Sequence, residues 1–312
     1  MIESNPPIIT IIGPTASGKT STTVGLAKLI NGEVIGLDSR QIYKGMEIGT
    51  AQPTSDERDS VIHHLLGFQD PSEPISAGHY AKLVSSKISE IKERKQTPII
   101  CGGAGLYLKA LNNGIFSDSV TDKIIRERLE SEYEEDAALL LSRLLSIDPD
   151  YAKIVHINNK KRLVRALEIY ETTGLPPSCH FKNQIQKPSK VLNLFIILLS
   201  WKRETLIERI TQRTDKMLEE GWVEEVKNLL KRQRKVDKPF ISLNSIGYQQ
   251  IHSFLNGQIK YEDMRDKIIV KTRQFARRQM QWFKKEKIDI VVESDNLDIE
   301  KIPQILHGIL RP

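Results

Sequence analysis

Residues 7–20 leave this chain little choice of architecture. Pro7-Ile8-Ile9-Thr10-Ile11-Ile12 is an apolar, β-branched run that reads as a buried strand. It passes directly into Gly13-Pro14-Thr15-Ala16-Ser17-Gly18-Lys19-Thr20, the pattern G-x-x-x-x-G-K-T. Val24, Leu26, Ala27, Leu29 and Ile30 then recur at helical spacing as far as the Asn31-Gly32 stop. Strand, glycine loop and helix in that order make a phosphate-binding P-loop. Its glycines let successive backbone amides turn inward on an anion. The helix N-terminus adds partial positive charge, Lys19 reaches the outer phosphates, and the Thr20 hydroxyl can hold a magnesium ion. A di- or triphosphate ligand is expected, held by Gly13 through Thr20.

At 312 residues the chain suits one large domain or two moderate ones. Lys and Arg number 46 against 40 Asp and Glu, a net of +6, so basic surface exists without dominating. The two cysteines, Cys101 and Cys179, form no C-x-x-C, which argues against a disulfide framework or a zinc site. The N-terminus lacks the basic-then-apolar layout of a secretory signal. The strongly apolar run over 192–201 is interrupted by Asn193 and Ser200 and is far too short to span a bilayer. A soluble, cytoplasmic protein with no membrane partner is expected. A monomer is expected too, although no sequence feature bears on the oligomeric state.

Strand and helix patterns alternate through the first part. Glu33-Val34-Ile35-Gly36-Leu37 reads as a strand ending in Asp38-Ser39-Arg40-Gln41, residues 45–74 as irregular, and 77–95 as a helix. Pro98-Ile99-Ile100-Cys101 reads as a third strand, running into Gly102-Gly103-Ala104-Gly105 and a helix over 106–111. Such alternation implies an α/β fold, a P-loop NTPase-like parallel sheet flanked by helices, with right-handed crossovers. Ligands gather beyond the strand C-termini of such sheets, so the loops at Gly13, Asp38 and Gly102 are expected to face one crevice. Between about 116 and 188 no strand is legible. Residues 124–145 read as a helix, Asp148-Pro149 as a break, and 160–173 as another helix stopped by Gly174. We take 116–189 as an inserted all-helical domain and 1–115 with 190–312 as the α/β core. The sheet resumes over 191–199. A helix over 203–221, a basic helix and linker over 227–238, and a turn at Ile246-Gly247-Tyr248 follow. A strongly basic helix over 261–285 and an edge strand over 288–292 complete the pattern.

Asp38 sits at the end of the second strand, where it can face the P-loop and take a proton from a substrate amine or hydroxyl. Equally, Asp38 or Ser39 can cap the following turn. Residues 271–287 carry seven Lys or Arg against one Glu, matching the excess of the whole chain. Phe275, Met280, Trp282 and Phe283 give that helix an apolar side, leaving Arg273, Arg277 and Arg278 to project. A solvated face is the ordinary reading of such a helix. Lys160, Lys161, Arg162 and Arg165 form a second basic cluster, and two basic surfaces suit nucleic-acid phosphates. Arg209 and Arg213, four apart on one helix face, either reach over a bound diphosphate or pair with Glu204 and Glu208. His63 and His64 have no suitably spaced third metal ligand and read as structural or substrate-orienting.

Together these pieces resemble one family, the tRNA dimethylallyltransferases (tRNA isopentenyltransferases). The resemblance rests on the P-loop, on Asp38-Ser39-Arg40-Gln41-Ile42-Tyr43-Lys44-Gly45-Met46, on Ile48-Gly49-Thr50-Ala51 and on His63-His64-Leu65. Gly102-Gly103 with Leu106-Tyr107, then Lys161-Arg162-Leu163-Val164-Arg165-Ala166-Leu167-Glu168, continue it in order. Arg213 with Met217 and Gly221, Ile246-Gly247-Tyr248 and Thr272-Arg273-Gln274-Phe275-Ala276-Arg277-Arg278-Gln279-Met280 extend it to about residue 285. What it implies is transfer of a dimethylallyl group from dimethylallyl diphosphate to the exocyclic amine of the adenosine just 3′ of a tRNA anticodon. By the same resemblance Asp38, Thr20 and Arg213 are catalytic and Mg²⁺ sits at Thr20. Asp38, Ser39, Arg40, Gln41, Arg126, Lys161, Arg162, Leu163, Val164 and Arg165 would by the same resemblance contact the tRNA, with the insertion gripping the anticodon stem-loop. Ala104 and, from the basic helix, Arg273, Arg277 and Arg278 are expected to join them.

Two positions depart from the family pattern. Ala104 stands where Gly-Gly-Thr is usual, so a hydroxyl near the substrate is missing. Gly67 stands where bacterial members commonly have Asp, and His63-His64-Leu65-Leu66-Gly67 looks more like the plant adenylate isopentenyltransferases, which act on free adenine nucleotides. Against that alternative stand Ile48-Gly49-Thr50-Ala51 and the two basic regions. A small-molecule kinase is a third reading, disfavoured because the third strand ends in Cys101-Gly102-Gly103 and not in a magnesium-holding Asp.

Overall fold

The structure, a computed structural model, describes residues 6–113, 122–186 and 192–310. Its first strand, β1 (Ile8–Ile12), is covered on both faces. Ile8 and Ile12 join one apolar cluster and Ile11 the opposite one, while the buried Thr10 hydroxyl donates to the Ile8 carbonyl at 3.1 Å. A strand covered on both sides needs an unbroken apolar run, which is why these residues do not alternate with polar ones.

The glycine loop leads into α1 (Lys19–Ile30). There follow β2 (Gly32–Leu37), α2 (Ser55–Ser60), the two-residue β3 (His63–His64), α3 (Ala77–Glu93), β4 (Thr97–Gly102) and α4 (Gly105–Asn113). A helical stretch comes next, with α5 (Lys123–Glu135), α6 (Ala137–Ile147), α7 (Pro149–Ala152), α8 (Lys160–Thr173) and α9 (Pro177–Gln186). The chain then forms β5 (Leu194–Ser200), α10 (Arg203–Glu219), α11 (Trp222–Val236), α12 (Tyr248–Leu255), α13 (Tyr261–Phe283), β6 (Ile290–Glu293) and α14 (Ile302–Leu310).

The six strands are all parallel, in the order β3-β2-β4-β1-β5-β6. Ile9 lies opposite Ile99 on one side and Phe195 on the other. Two compact units result, Met1–Asn112 with Leu192–Pro312, and Asn113–Val191. The expected insertion bounds, 116 and 189, and the expected strand start, Val191, lie outside the described residues.

In the first unit the larger core joins Tyr80, Leu108, Val226, Tyr248 and Ile268 against one face of the sheet. On the other face Val24 and Leu26 of α1 meet Ile302 and Leu306 of α14. In the second unit Leu129, Leu140, Leu144, Leu163 and Leu167 make a separate core.

Two local expectations need correcting. The single helix over 124–145 is two helices. Asp136 leaves the helical region, and its carboxylate accepts from the Ala138 and Leu139 amides to start α6, a cap hidden inside a continuing Glu/Leu pattern. Within the stretch read as irregular, Thr54 and Glu57 form a reciprocal capping box that starts α2, and His63–His64 pairs with β2.

Candidate active site

Because every strand runs the same way, the loops after β1, β2, β4 and β5 leave the sheet at one edge. Neighbouring strands therefore carry Asp38 after β2, Gly103-Ala104 after β4, the P-loop after β1 and Trp201 after β5. Gly102 permits this crowding. A Cβ there would fall 2.1 Å from the Leu37 carbonyl oxygen, to which the Gly103 and Ala104 amides both donate at 3.1 Å. The loops open on a cleft of about 1200 Å³ lined by residues 15–21, 38–41, 47–55 and 101–104, with Arg209, Arg213, Met217, Trp222, Phe275, Arg278 and Gln279.

The positive end of the cleft is built from half-buried cations. Lys19 Nζ donates to the Pro14 carbonyl at 2.7 Å, and Arg213 Nη1 meets Thr15 Oγ1 at 3.4 Å. Burial pushes the Lys19 ammonium down to about 8; the charge of Arg213 adds to that, while Cys101 and Asp38 oppose it. Burial also pushes Arg213 down, with Asp38 opposing. Among the described residues neither forms an ion pair, so the spacing alternative of bonds to Glu204 or Glu208 does not apply to Arg213. Two half-buried cations with no carboxylate in contact are suited to an anion.

Gln279 holds the loops together, although the sequence marks it only as a polar residue in a basic helix. Its Oε1 accepts from the Thr15 amide at 2.9 Å and its Nε2 donates to the Gly103 carbonyl at 3.0 Å, tying α13 to the P-loop and to the end of β4.

Asp38 caps the turn and also lines the cleft. Its Oδ1 accepts from the Arg40 amide at 2.7 Å and the Gln41 amide at 3.3 Å. The Gln41 amide group donates to the Thr50 and Ala51 carbonyls at 3.2 and 2.8 Å. Glu225, which the sequence reading passed over, accepts from the Ile48 and Gly49 amides at 2.7 and 2.9 Å and from the Tyr248 hydroxyl at 2.7 Å. Burial raises its carboxyl, against the pull of those donors. Gly49 is needed because a Cβ would fall 1.9 Å from the Trp222 indole nitrogen. The Ile48-Gly49-Thr50-Ala51 and Ile246-Gly247-Tyr248 motifs are thus one packed wall of the cleft.

Other expected site residues are placed as follows. Ser39, Arg40, Gln41 and Ala104 line the cleft, as do Phe275 and Arg278. Phe275 and Trp282 are each 36% exposed, so the apolar side of α13 is carried by Met280 and Phe283 and not by all four residues. Arg273 and Arg277 are exposed. In the second unit Lys161 and Arg162 are exposed, whereas Arg126 and Arg165 each donate to Glu168 Oε2 at 2.6 Å. Leu163 and Val164, expected among the RNA contacts, are a correction. Both side chains are buried in the core of that unit and are closed to a ligand.

His63 and His64 do not line the cleft. His63 Nδ1 meets the Val61 carbonyl at 2.8 Å, and His64 Nε2 pairs at 2.6 Å with Glu33, which also holds Arg94, so their role is structural. Gly67 is also outside the cleft and sits at φ +54°, its amide donating to the Gln41 carbonyl. The left-handed turn accounts for a glycine there without reference to the acceptor.

Among the described residues no group of three His, Cys, Asp or Glu could hold a metal. Thr20 lines the cleft beside Lys19, and no hydrogen bond to its hydroxyl is made among the described residues. One neutral oxygen suits an ion such as Mg²⁺, which keeps several waters and takes its remaining ligands from substrate phosphates.

The IPP transferase family model matches residues 41–286. The chain belongs to the IPP transferase family. Among members, the tRNA dimethylallyltransferase of Pelotomaculum thermopropionicum is 40% identical over 300 residues, covering 96% of this chain and 94% of that one. The Bacillus subtilis tRNA dimethylallyltransferase is 38% identical over 286 residues, covering 91% and 90%. A Bacillus halodurans tRNA isopentenylpyrophosphate transferase structure aligns with TM-score 0.71 at 36% identity, over 98% of this chain and 96% of that one. A eukaryotic dimethylallyltransferase captured acting on tRNA aligns with TM-score 0.83 at 30% identity, over 98% and 78%. The α/β fold expected from the sequence, a P-loop NTPase-like parallel sheet flanked by helices, is the fold found.

Proposed function

We propose that this IPP transferase is a tRNA dimethylallyltransferase. It moves the dimethylallyl group of dimethylallyl diphosphate onto the exocyclic amine of the adenosine 3′-adjacent to the anticodon and releases diphosphate. The observation that carries this reading is one cleft with two half-buried cations, neither in an ion pair among the described residues, on the P-loop side and the Asp38 carboxylate two strands away.

The reaction breaks the allylic carbon–oxygen bond and forms a carbon–nitrogen bond. Negative charge grows on the departing diphosphate, where the P-loop amides, Lys19 and Arg213 stabilise it. Adenine's exocyclic nitrogen is a poor nucleophile because its lone pair is delocalised into the ring. Asp38, its Oδ1 fixed by two backbone amides, accepts a hydrogen bond from that amine and takes the proton it loses. The Thr20 hydroxyl would hold Mg²⁺, which would supply further charge neutralisation on the diphosphate.

The target base has to leave the anticodon stack to enter the cleft. Ser39, Arg40, Gln41 and Ala104 would then surround it, while Arg273, Arg277 and Arg278 contact backbone phosphates. In the second unit Lys161, Arg162, Arg126 and Arg165 offer cations to the anticodon stem-loop. The proposal includes a monomeric, cytoplasmic enzyme; among the described residues no helix is long and apolar enough to cross a membrane.

An assay with Mg²⁺, labelled dimethylallyl diphosphate, an unmodified anticodon stem-loop RNA and AMP tests this. Label is expected in the RNA. Preferential labelling of AMP would move the chain to the free-nucleotide class.

A further inference from the structure

Trp201 and Arg209 lie at the P-loop without a role in the chemistry above. Trp201 follows β5, and its indole Nε1 donates to the Ser17 carbonyl at 2.9 Å. Arg209, on the second turn of α10, donates from Nε to the Ala16 carbonyl at 2.8 Å. The two side chains also brace each other, the guanidinium lying over the indole with its carbon 4.4 Å from the ring centroid. Beside them the buried Ile210 packs on Ala16 together with Ile269 and Ala276. Ala16 itself sits at φ 64°, a left-handed conformation that costs energy for any residue with a Cβ, and surrounding contacts must supply it.

Those two carbonyls decide where two amides point. In a trans peptide the carbonyl and the following N–H are antiparallel in one plane. Holding the Ala16 carbonyl outward turns the Ser17 amide inward, and holding the Ser17 carbonyl outward does the same for Gly18. The Ser17 amide makes only a long 3.3 Å bond to the Pro14 carbonyl, and the Gly18 amide has no backbone partner among the described residues. Both are therefore presented to an incoming anion.

We propose that Trp201 and Arg209 are positioning residues, a paired clamp that holds the P-loop in its anion-binding conformation from outside the loop. Arg209 acts on diphosphate through the Ala16–Ser17 peptide, with its Nε spent on a carbonyl and its planar face covered by Trp201. The spacing leaves open reaching over the diphosphate beside Arg213 or pairing with Glu204 or Glu208; among the described residues Arg209 forms no ion pair, and its Nε bonds the Ala16 carbonyl. The clamp rests on the diphosphate-binding reading of the P-loop, which the wild-type protein tests separately.

The experiment is calorimetric titration of inorganic diphosphate, with Mg²⁺, into wild-type protein and the variants Trp201→Phe, Arg209→Lys, Arg209→Gln and the double variant Trp201→Phe/Arg209→Gln. Trp201→Phe keeps an aromatic face and every charge but removes the donor. It should weaken diphosphate binding about fivefold to tenfold, the usual worth of one buried hydrogen bond, with the salt dependence of wild type. With prenyl donor and RNA, KM for the donor should rise in the same proportion while kcat at saturation and RNA affinity stay near wild type. Arg209→Lys should lose as much as Arg209→Gln, because a lysine cannot bond the carbonyl and stack at once. The double variant should lose no more than the worse single one. Diphosphate affinity unchanged in Trp201→Phe, rescue by Arg209→Lys, or additive losses would each overturn the clamp and leave the P-loop reading standing. No binding by the wild type would remove both.

Discussion

Lys19 is a cation stored where water is scarce. Burial holds its pKa near 8 without ligand, well below an ordinary lysine. The folded amine binds a proton less readily than the unfolded one, so between pH 8 and the unfolded value of 10.5 the free protein gains stability as pH rises. An anion reverses the preference. Diphosphate raises the Lys19 pKa, so binding above pH 8 takes up a proton, and affinity falls with pH by up to about tenfold per unit. Below pH 8 Lys19 is already charged and contributes no slope. Titrations in buffers of different ionisation enthalpy, with Lys19→Arg as the reference that stays charged, measure this directly. Equal slopes for the two proteins above pH 8 would contradict it. At this scale the sequence was informative wherever a motif carries its own geometry. The P-loop pattern named Lys19 and Thr20, and strand-end position named Asp38. It gave no role to Gln279, Trp201 or Glu225, because each acts on a backbone group roughly 180 to 260 positions away and no local pattern records which helix will cross which loop.

Among the elements, α5 and α8 show how a motif can be partly about folding. Glu168 is fully buried, and its carboxylate accepts from Arg126, Arg165 and the Asp122 amide. The Lys161-Arg162-Leu163-Val164-Arg165-Ala166-Leu167-Glu168 run therefore serves two ends. Lys161 and Arg162 face solvent, Leu163, Val164 and Leu167 fill the core, and Glu168 aims two arginines. The helical period was readable from the apolar residues, whereas the pairing of Glu168 with Arg126 on another helix was not. Glu168→Ala should destabilise the protein by about 2 kcal/mol, less than for a fully buried pair because both arginines stay partly solvated. Denaturant unfolding checks this, and a midpoint equal to wild type would contradict it.

For the whole molecule, the parallel βαβ pattern puts Asp38 and the P-loop at the same edge of the sheet, at strand ends separated only by β4. Most of that was legible, since strands covered on both faces announce themselves as unbroken apolar runs. The two-residue β3 carries too little pattern to be seen, and α14 was missed because its apolar face makes sense only once α1 is known to be its partner. The central expectation is that this enzyme prenylates one particular adenosine of RNA. The most direct test uses two anticodon stem-loop RNAs that differ only at the base 3′-adjacent to the anticodon, adenosine in one and uridine in the other. With Mg²⁺ and labelled dimethylallyl diphosphate, label should enter the adenosine RNA alone and appear on its exocyclic amine. Equal labelling of both RNAs, or label in neither, would contradict the account.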